Sequence, residues 1–243
     1  MRPLSVQELL TVWERGLTAR PFERALAILA TASPERTTAS VAQITIGRCE
    51  ASLLTLREWA FGSELVFIAA CPGCRQSLET RVQVDDLRPR VEHAPETAAS
   101  VVLGDYEVRC RLPSLSDLLT CSSEDAEAGG RQLFTSCVID ARHNATPIAG
   151  DHLPDDVRRA TEARMASMDP QADMRVALTC PDCSYHWSEL FDVASFFWAE
   201  IDMWARRLLR DVDALARVYG WTERDVLALS PVRRQLYLAM ALA

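Results

Sequence analysis

The side chains in this sequence with the clearest chemistry are cysteines in two tight turns. Cys71-Pro72-Gly73-Cys74 is the first and Cys180-Pro181-Asp182-Cys183 is the second. Two cysteines at this spacing bring both sulfurs into one turn, where backbone N–H groups can support thiolates. One such turn supplies half of a tetrahedral zinc site, and two complete it. The flanks match as well. An apolar stretch precedes each turn (FIAA and VALT), and a large apolar residue, Leu78 or Trp187, stands four positions after the second cysteine. Cys180 lies 109 positions after Cys71, and Trp187 lies 109 positions after Leu78. A polar–apolar alternation follows in both places, TRVQV and ELFDV. The two halves read as one hairpin used twice. That is the pattern of a zinc ribbon, here interrupted by 105 residues between Cys74 and Cys180.

Three readings of the turns are open: a structural Zn²⁺ held by four thiolates, redox dithiols, or unliganded core cysteines. A thioredoxin-like dithiol needs the motif to open a helix whose N-terminus activates the first cysteine. A strand pattern follows each turn instead. Proline beside the first cysteine and the matched flanks also favour metal. The expected ligands are therefore Cys71, Cys74, Cys180 and Cys183, and the expected cofactor is one structural Zn²⁺. Four thiolates fill the coordination sphere and leave no position for water or substrate. His186 could replace a thiolate, although a surface position is the simpler reading. Cys49, Cys110, Cys121 and Cys137 stand singly and are expected to be buried, inert thiols.

No catalytic constellation accompanies the turns. His93, His143 and His152 lie in expected loops with no partner nearby in sequence. Asp85-Asp86 and Asp155-Asp156 fall at loop or helix starts, where carboxylates are solvated or favoured by the helix dipole. Gly129-Gly130 stands alone and does not make a phosphate-cradling loop. All 26 basic residues are arginine, so mechanisms that need a lysine are excluded. The expectation is a protein that is not an enzyme.

The elements that must position the cysteines follow from the periodicities. Two helices are expected before residue 35, the first capped by Ser5 with Glu8 three residues on and the second opened by Pro21. Residues 33–40 read as a linker, and a helix runs from about Arg48 to Trp59. Residues 85–100 read as a polar loop, 101–112 as a strand pair, Leu115–Thr120 and Gly130–Ile139 as short helices, and 140–156 as a second loop. Val157–Met168 is expected to be helical. After the second cysteine hairpin, a long helix from about Val193 to Tyr219 carries the apolar stripe Val193, Phe197, Ile201, Trp204, Leu208, Val212, Leu215, Tyr219. Gly220 ends it, and a pair of short helices reaches about Ala241. The fold class expected is α+β: a discontinuous zinc ribbon of two CPxC hairpins, with N-terminal helices, a long amphipathic helix and a C-terminal helical pair. The expected domains are an N-terminal helical arm (1–35) and a ribbon-centred domain (40–243). The latter includes an insertion at about 85–170 and C-terminal helices at 193–241.

Composition narrows the function. The 243 residues are 49% apolar and 25% charged, which is a globular balance. The net charge is −8, which opposes a protein that coats nucleic acid or an anionic membrane. The insertion holds 16 acidic and 9 basic residues, whereas residues 203–234 hold seven arginines against four acids. No apolar run is long enough to span a membrane, and Gln7, Glu8 and Glu14 interrupt any signal-peptide core. The expected location is cytoplasmic, where a reducing environment favours metal binding or burial over disulfides.

The order of motifs resembles a known family. IGRCEASLLTLREWAFG is followed by CPGCRQSLE and CRLPSLSDLL, and then by DPQADMRVALTCPDCSYHWSELFDVASFFWAEIDMWARRLLRDVDALARVYGWTERDVLALSPVRRQLYL. These blocks are similar to the baseplate hub assembly proteins of contractile-tailed phages and phage-tail-like contractile injection systems. The resemblance covers roughly residues 40–240. It implies a structural or chaperone-like role in assembling a baseplate, by protein–protein interaction with baseplate or hub subunits, with no enzymatic activity and no small-molecule substrate. The first turn departs from the pattern, since Arg75 stands where a glycine is expected. A zinc-ribbon nucleic-acid-binding or regulatory protein is the alternative reading, although the charge opposes nucleic acid as a partner. A thiol oxidoreductase is the third.

Overall fold

The computed structural model describes residues 1–88, 98–121 and 125–241. Ser5 accepts a hydrogen bond from the Glu8 backbone N–H while the Glu8 carboxylate accepts from Ser5, closing a capping box that starts α1 (Val6–Gly16). α2 (Pro21–Ala32) opens on its proline. Thr37 and Thr45 cap α3 (Thr38–Ala42) and α4 (Ile46–Phe61), and Gly62, at φ 94°, ends α4 in a conformation that favours glycine. β1 (Glu64–Ala70) and β2 (Ser77–Gln83) form the first antiparallel hairpin. A 3₁₀ turn, Val84–Leu87, follows. β3 (Ala98–Leu103), β4 (Tyr106–Arg111), α5 (Leu115–Thr120), α6 (Ala126–Cys137), β5 (Val138–His143), β6 (Thr146–Pro147) and α7 (Asp155–Met168) make up the insertion. The second hairpin is β7 (Arg175–Thr179) with β8 (His186–Leu190). α8 (Val193–Tyr219), α9 (Glu223–Ala228) and α10 (Pro231–Ala241) complete the described chain.

The main core is helical. α1, α2, α4 and α8 pack against one another. The α8 residues Val193, Phe197, Ile201, Ala205 and Leu208 are buried in one cluster with Leu10 and Trp13 of α1, Ile28 and Leu29 of α2, and Leu53 and Leu54 of α4. The expected α8 stripe is thus the buried face as far as Leu215, with Trp204 and Val212 partly covered, whereas its last member, Tyr219, is exposed. The N-terminal helices fold onto this core. Phe67, Val176 and Phe191 place both hairpins against it.

Two polar devices join the helices. Arg57 on α4, only 3% exposed, forks onto Glu200 of α8 at 2.7 and 2.6 Å and donates to the Gly62 carbonyl at 2.7 Å. Each nitrogen of the buried guanidinium thereby has a partner, and removing Glu200 would leave an unpaired buried charge. Glu50 lies at the start of α8, where its carboxylate accepts from the Val193 N–H, but its buried Oε2 has no hydrogen-bond partner among the described residues. Burial, with the adjacent Asp192 carboxylate adding to it, pushes the Glu50 carboxyl up to about 7.

The insertion has its own small core. β3, β4, β5 and β6 form one antiparallel sheet, and α7 packs over β3 and β4. Val108, Phe134, Ala141, Leu153 and Val157 are buried between them. The insertion is tied to the start of α4 at two points, the stretch between β4 and α5 and its C-terminal end. Ile46 N donates to Pro113 O, Leu115 N donates to Ile44 O, and the buried Asp169 accepts from Gly47 N at 2.9 Å. A side chain at Gly47 would collide with that carboxylate.

Four expectations change. Residues 33–40 are not a plain linker, because Thr37 caps the short α3 and Val41 and Ala42 are buried. The segment 140–156 is not a plain loop: β5 pairs with β4 there, and Asn144 and Ala145, at φ 49° and 64°, turn the chain into β6. The helix expected at Gly130–Ile139 starts at Ala126 under an Asp125 cap and ends at Cys137, so Gly129-Gly130 is helix interior. The loop expected at 85–100 gives way to a 3₁₀ turn at its start and strand β3 at its end; residues 89–97 lie outside the described residues.

Two measurements check this packing. Gly16 lets α1 approach the Trp198 ring so closely that an added Cβ would overlap it, whereas Gly130 faces open space within α6. Gly16→Ala should therefore lower the stability in urea by about 1–3 kcal/mol, and Gly130→Ala should raise it by about 0.5–1 kcal/mol. Glu50 binds its proton more tightly folded than unfolded. Its favourable contribution is full below the unfolded-chain value of about 4.3 and is lost as pH rises through about 7. Glu50→Gln should stabilise the protein at about pH 8 by up to about 3 kcal/mol and have little effect at about pH 4.5. Equal shifts at both pH values would contradict the assignment.

Candidate metal centre

The two cysteine turns are built alike. In the first hairpin Ala70 pairs with Ser77 and Ala69 with Leu78; in the second Thr179 pairs with His186 and Leu178 with Trp187. The 109-residue offset of the sequence is thus preserved in the strand register. Cys71 N donates to Gln76 O and Arg75 N to Cys71 O; Cys180 N donates to Tyr185 O and Ser184 N to Cys180 O, all at 2.8–2.9 Å. Each turn closes through a left-handed residue after its second cysteine, Arg75 at φ 63° and Ser184 at φ 58°. Arg75, standing where a glycine was expected, adopts the conformation that glycine accommodates best. The turns also touch: an added Cβ on Gly73 would lie 3.3 Å from the Tyr185 side chain.

This brings together the four sulfurs expected from the sequence. The Sγ atoms of Cys71, Cys74, Cys180 and Cys183 all lie within 4.8 Å of one another. Cys71 and Cys183 are 3.6 Å apart, as are Cys74 and Cys180. A tetrahedral centre with metal–sulfur bonds of about 2.3 Å needs sulfurs about 3.8 Å apart, and a disulfide needs about 2.0 Å. The cluster can hold one metal ion and is too open for disulfides. Cys71 and Cys180 are buried while Cys74 and Cys183 reach the surface, so the site is shielded by the core on one side only.

The electrostatics point the same way. Burial raises the Cys71 thiol, but the N–H groups of Cys74 and Gly73, with the sulfurs opposite, outweigh it and lower it to about 7. At Cys183 the Tyr185 N–H favours the thiolate, but burial and the three other sulfurs push the thiol up to about 12. At Cys74 the Gln76 N–H favours the thiolate, and burial and crowding again win. Four thiolates this close repel one another, and a divalent cation among them removes the conflict.

The remaining candidates lie elsewhere. His186 sits on the surface and shares a 2.8 Å hydrogen bond with Thr179. Cys49, Cys110 and Cys137 are buried, and burial pushes each thiol up. Cys121 is only half-buried, against Gly129 O and Gln132. His143 stacks on Tyr106 at 4.3 Å, and His152 lies in a 3₁₀ turn. His93 lies outside the described residues. Asp86 accepts from Gln83 N, and Asp155-Asp156 opens α7, so both acidic pairs serve helix starts. Among the described residues no other group of His, Cys, Asp or Glu gathers closely enough to hold a metal. Sequence reasoning missed Asp169 and Gly47, which anchor the end of the insertion to α4. The glycine after the Thr45 cap was the available signal.

These features define a mixed helix-and-sheet protein in which two distant cysteine turns meet at one potential metal centre. The chain belongs to a known family: the family model described as T4 bacteriophage base plate protein matches residues 28–198, a span that includes both turns. No curated protein and no solved structure matches the chain.

The left-handed positions give a direct test. An L-residue there costs about 1–2 kcal/mol, partly offset in a glycine variant by the added freedom of the unfolded chain. Arg75→Gly and Ser184→Gly should each stabilise the protein by about 0.5–1 kcal/mol, and Arg75→Val should destabilise it, as read from urea midpoints.

Proposed function

We propose that this protein is a non-catalytic assembly or structural factor in the baseplate of a phage-tail-like contractile injection system. In this reading its fold is stapled by one structural Zn²⁺ on Cys71, Cys74, Cys180 and Cys183. The observation that carries the reading is the baseplate family match over residues 28–198, which includes both cysteine turns. The sulfur spacing supports zinc, the common occupant of four-thiolate sites. The two hairpins then act as the separated halves of one ribbon, and four thiolates leave no open position for a reacting water. The motif order shared with hub assembly proteins supports hub or other baseplate subunits as partners. No helix among the described residues is long and apolar enough to cross a membrane, which accords with assembly work in the cytosol of the producing cell.

One preparation tests both parts. The tagged chain is co-expressed with the baseplate subunits of its own system, purified, and analysed for bound protein and metal. Baseplate subunits should co-purify, with about one zinc per chain. Cys180→Ser should lose the zinc and several kcal/mol of stability. Folded, metal-free protein would refute the zinc; absence of every baseplate subunit would refute the role.

A further inference from the structure

We infer that α10 is a docking face for an acidic amphipathic helix of another protein; the inference rests on the baseplate reading for placing that partner among baseplate subunits. α10 is apolar on two opposite sides. Leu238, with the aliphatic part of Arg234, faces inward, and the Arg234 guanidinium lies 3.4 Å from Asp211 of α8. Val232, Leu236 and Met240, spaced by four residues, face outward and are 72%, 56% and 60% exposed. This spacing makes a continuous stripe along a helix, and a shallow concavity lined by Pro231, Val232, Gln235 and Leu236 sits at its start.

The surface is preformed. Leu215, Val226 and Leu238 make a separate small core for α9, α10 and the end of α8. The rings of Tyr219, Trp221 and Tyr237 interlock at 4.7–5.8 Å. α8, a single helix of 27 residues about 40 Å long, links this module to the main core, and Leu227 of α9 packs against that core as well. The family match ends at residue 198, so the module lies beyond the matched span. Stiff and apolar, it offers a helix-in-groove surface with little ordering to be done on binding.

Charge selects the occupant. Arg207, Arg210 and Arg233 are exposed with no carboxylate at ion-pair distance among the described residues, and Arg233 borders the stripe. Three of the four acids nearby are already engaged: Asp211 faces Arg234, Asp213 pairs with Arg217 at 2.9 Å, and Asp225 caps α9 with Thr222, while Glu223 is exposed in the first turn of α9. In a chain of net charge −8, this end is the locally basic one. An acidic partner is attracted to it, whereas a second copy would set basic face against basic face.

The test uses the full-length protein and two labelled helical peptides with the same leucine face, one flanked by glutamates and the other by arginines. In fluorescence anisotropy the acidic peptide should bind at least tenfold more tightly than the basic one, and more weakly as salt rises. Val232→Ser with Leu236→Ser should weaken it at least tenfold without moving the thermal midpoint, and Arg233→Glu should shrink the preference. Equal binding of both peptides, or none of the acidic one, would overturn the inference. So would a concentration-dependent dimer abolished by the same substitutions, which would make a second copy the occupant. In the co-expression experiment the double variant should lose baseplate subunits that the wild type retains. If it keeps them, the docking face is wrong and the baseplate reading stands; if the wild type recovers none, the baseplate reading fails while the peptide result still judges the face.

Discussion

A two-stranded hairpin is marginal in water on its own, and here the two cysteine hairpins pair with no other strand among the described residues. Each exposes one face and presses a few residues, Leu65 and Phe67 in one and Val176 and Leu178 in the other, onto the helical core. Their tips meet at the two turns. Backbone hydrogen bonds shape each turn locally, but only the other turn supplies the second pair of sulfurs. That junction joins residues 71–74 to 180–183, across the insertion and just ahead of α8.

The long insertion is compatible with such a junction because loop-closure entropy grows slowly with length. The insertion also does not behave as a loop. It meets the core beside the first turn of α4 at two points: midway, where Ile44–Ile46 pairs with Pro113–Leu115, and at its end, where Asp169 accepts from Gly47. Arg111 and Asp117 brace the midway point, forked at 2.7 Å. The segment from Pro113 to Asp169 is therefore held on α4 at both of its ends.

α8 joins three parts of the molecule. Its first half fills the main core, its Glu200 satisfies the buried Arg57, and its last turns form the inner wall of the C-terminal module. A helix serves for this because its backbone hydrogen bonds are internal, so it can leave one core and enter another without unpaired groups. Asp192 caps its start and Gly220, left-handed at φ 67°, its end.

The local codes read correctly from sequence alone: the cap at Ser5, the α8 stripe as far as Leu215, α5 to its residue limits, and the two hairpins with their shared offset. These are set by neighbours within a few positions, so spacing suffices to find them. The four sulfurs could be named for the same reason. Their meeting is tertiary, since nothing within 71–74 or 180–183 states that the two turns face each other at 3.6 Å. β5 escaped notice because a six-residue strand with alternating Asp140 and Arg142 gains its stability from pairing with β4. The Arg57–Glu200 pair and the Asp169 anchor join residues more than a hundred positions apart. Periodicity carries no information at that range. The amino-acid order determined which groups could bind metal and which helices would form; packing across the chain decided which groups met, because burial and charge pairing act on neighbours in space.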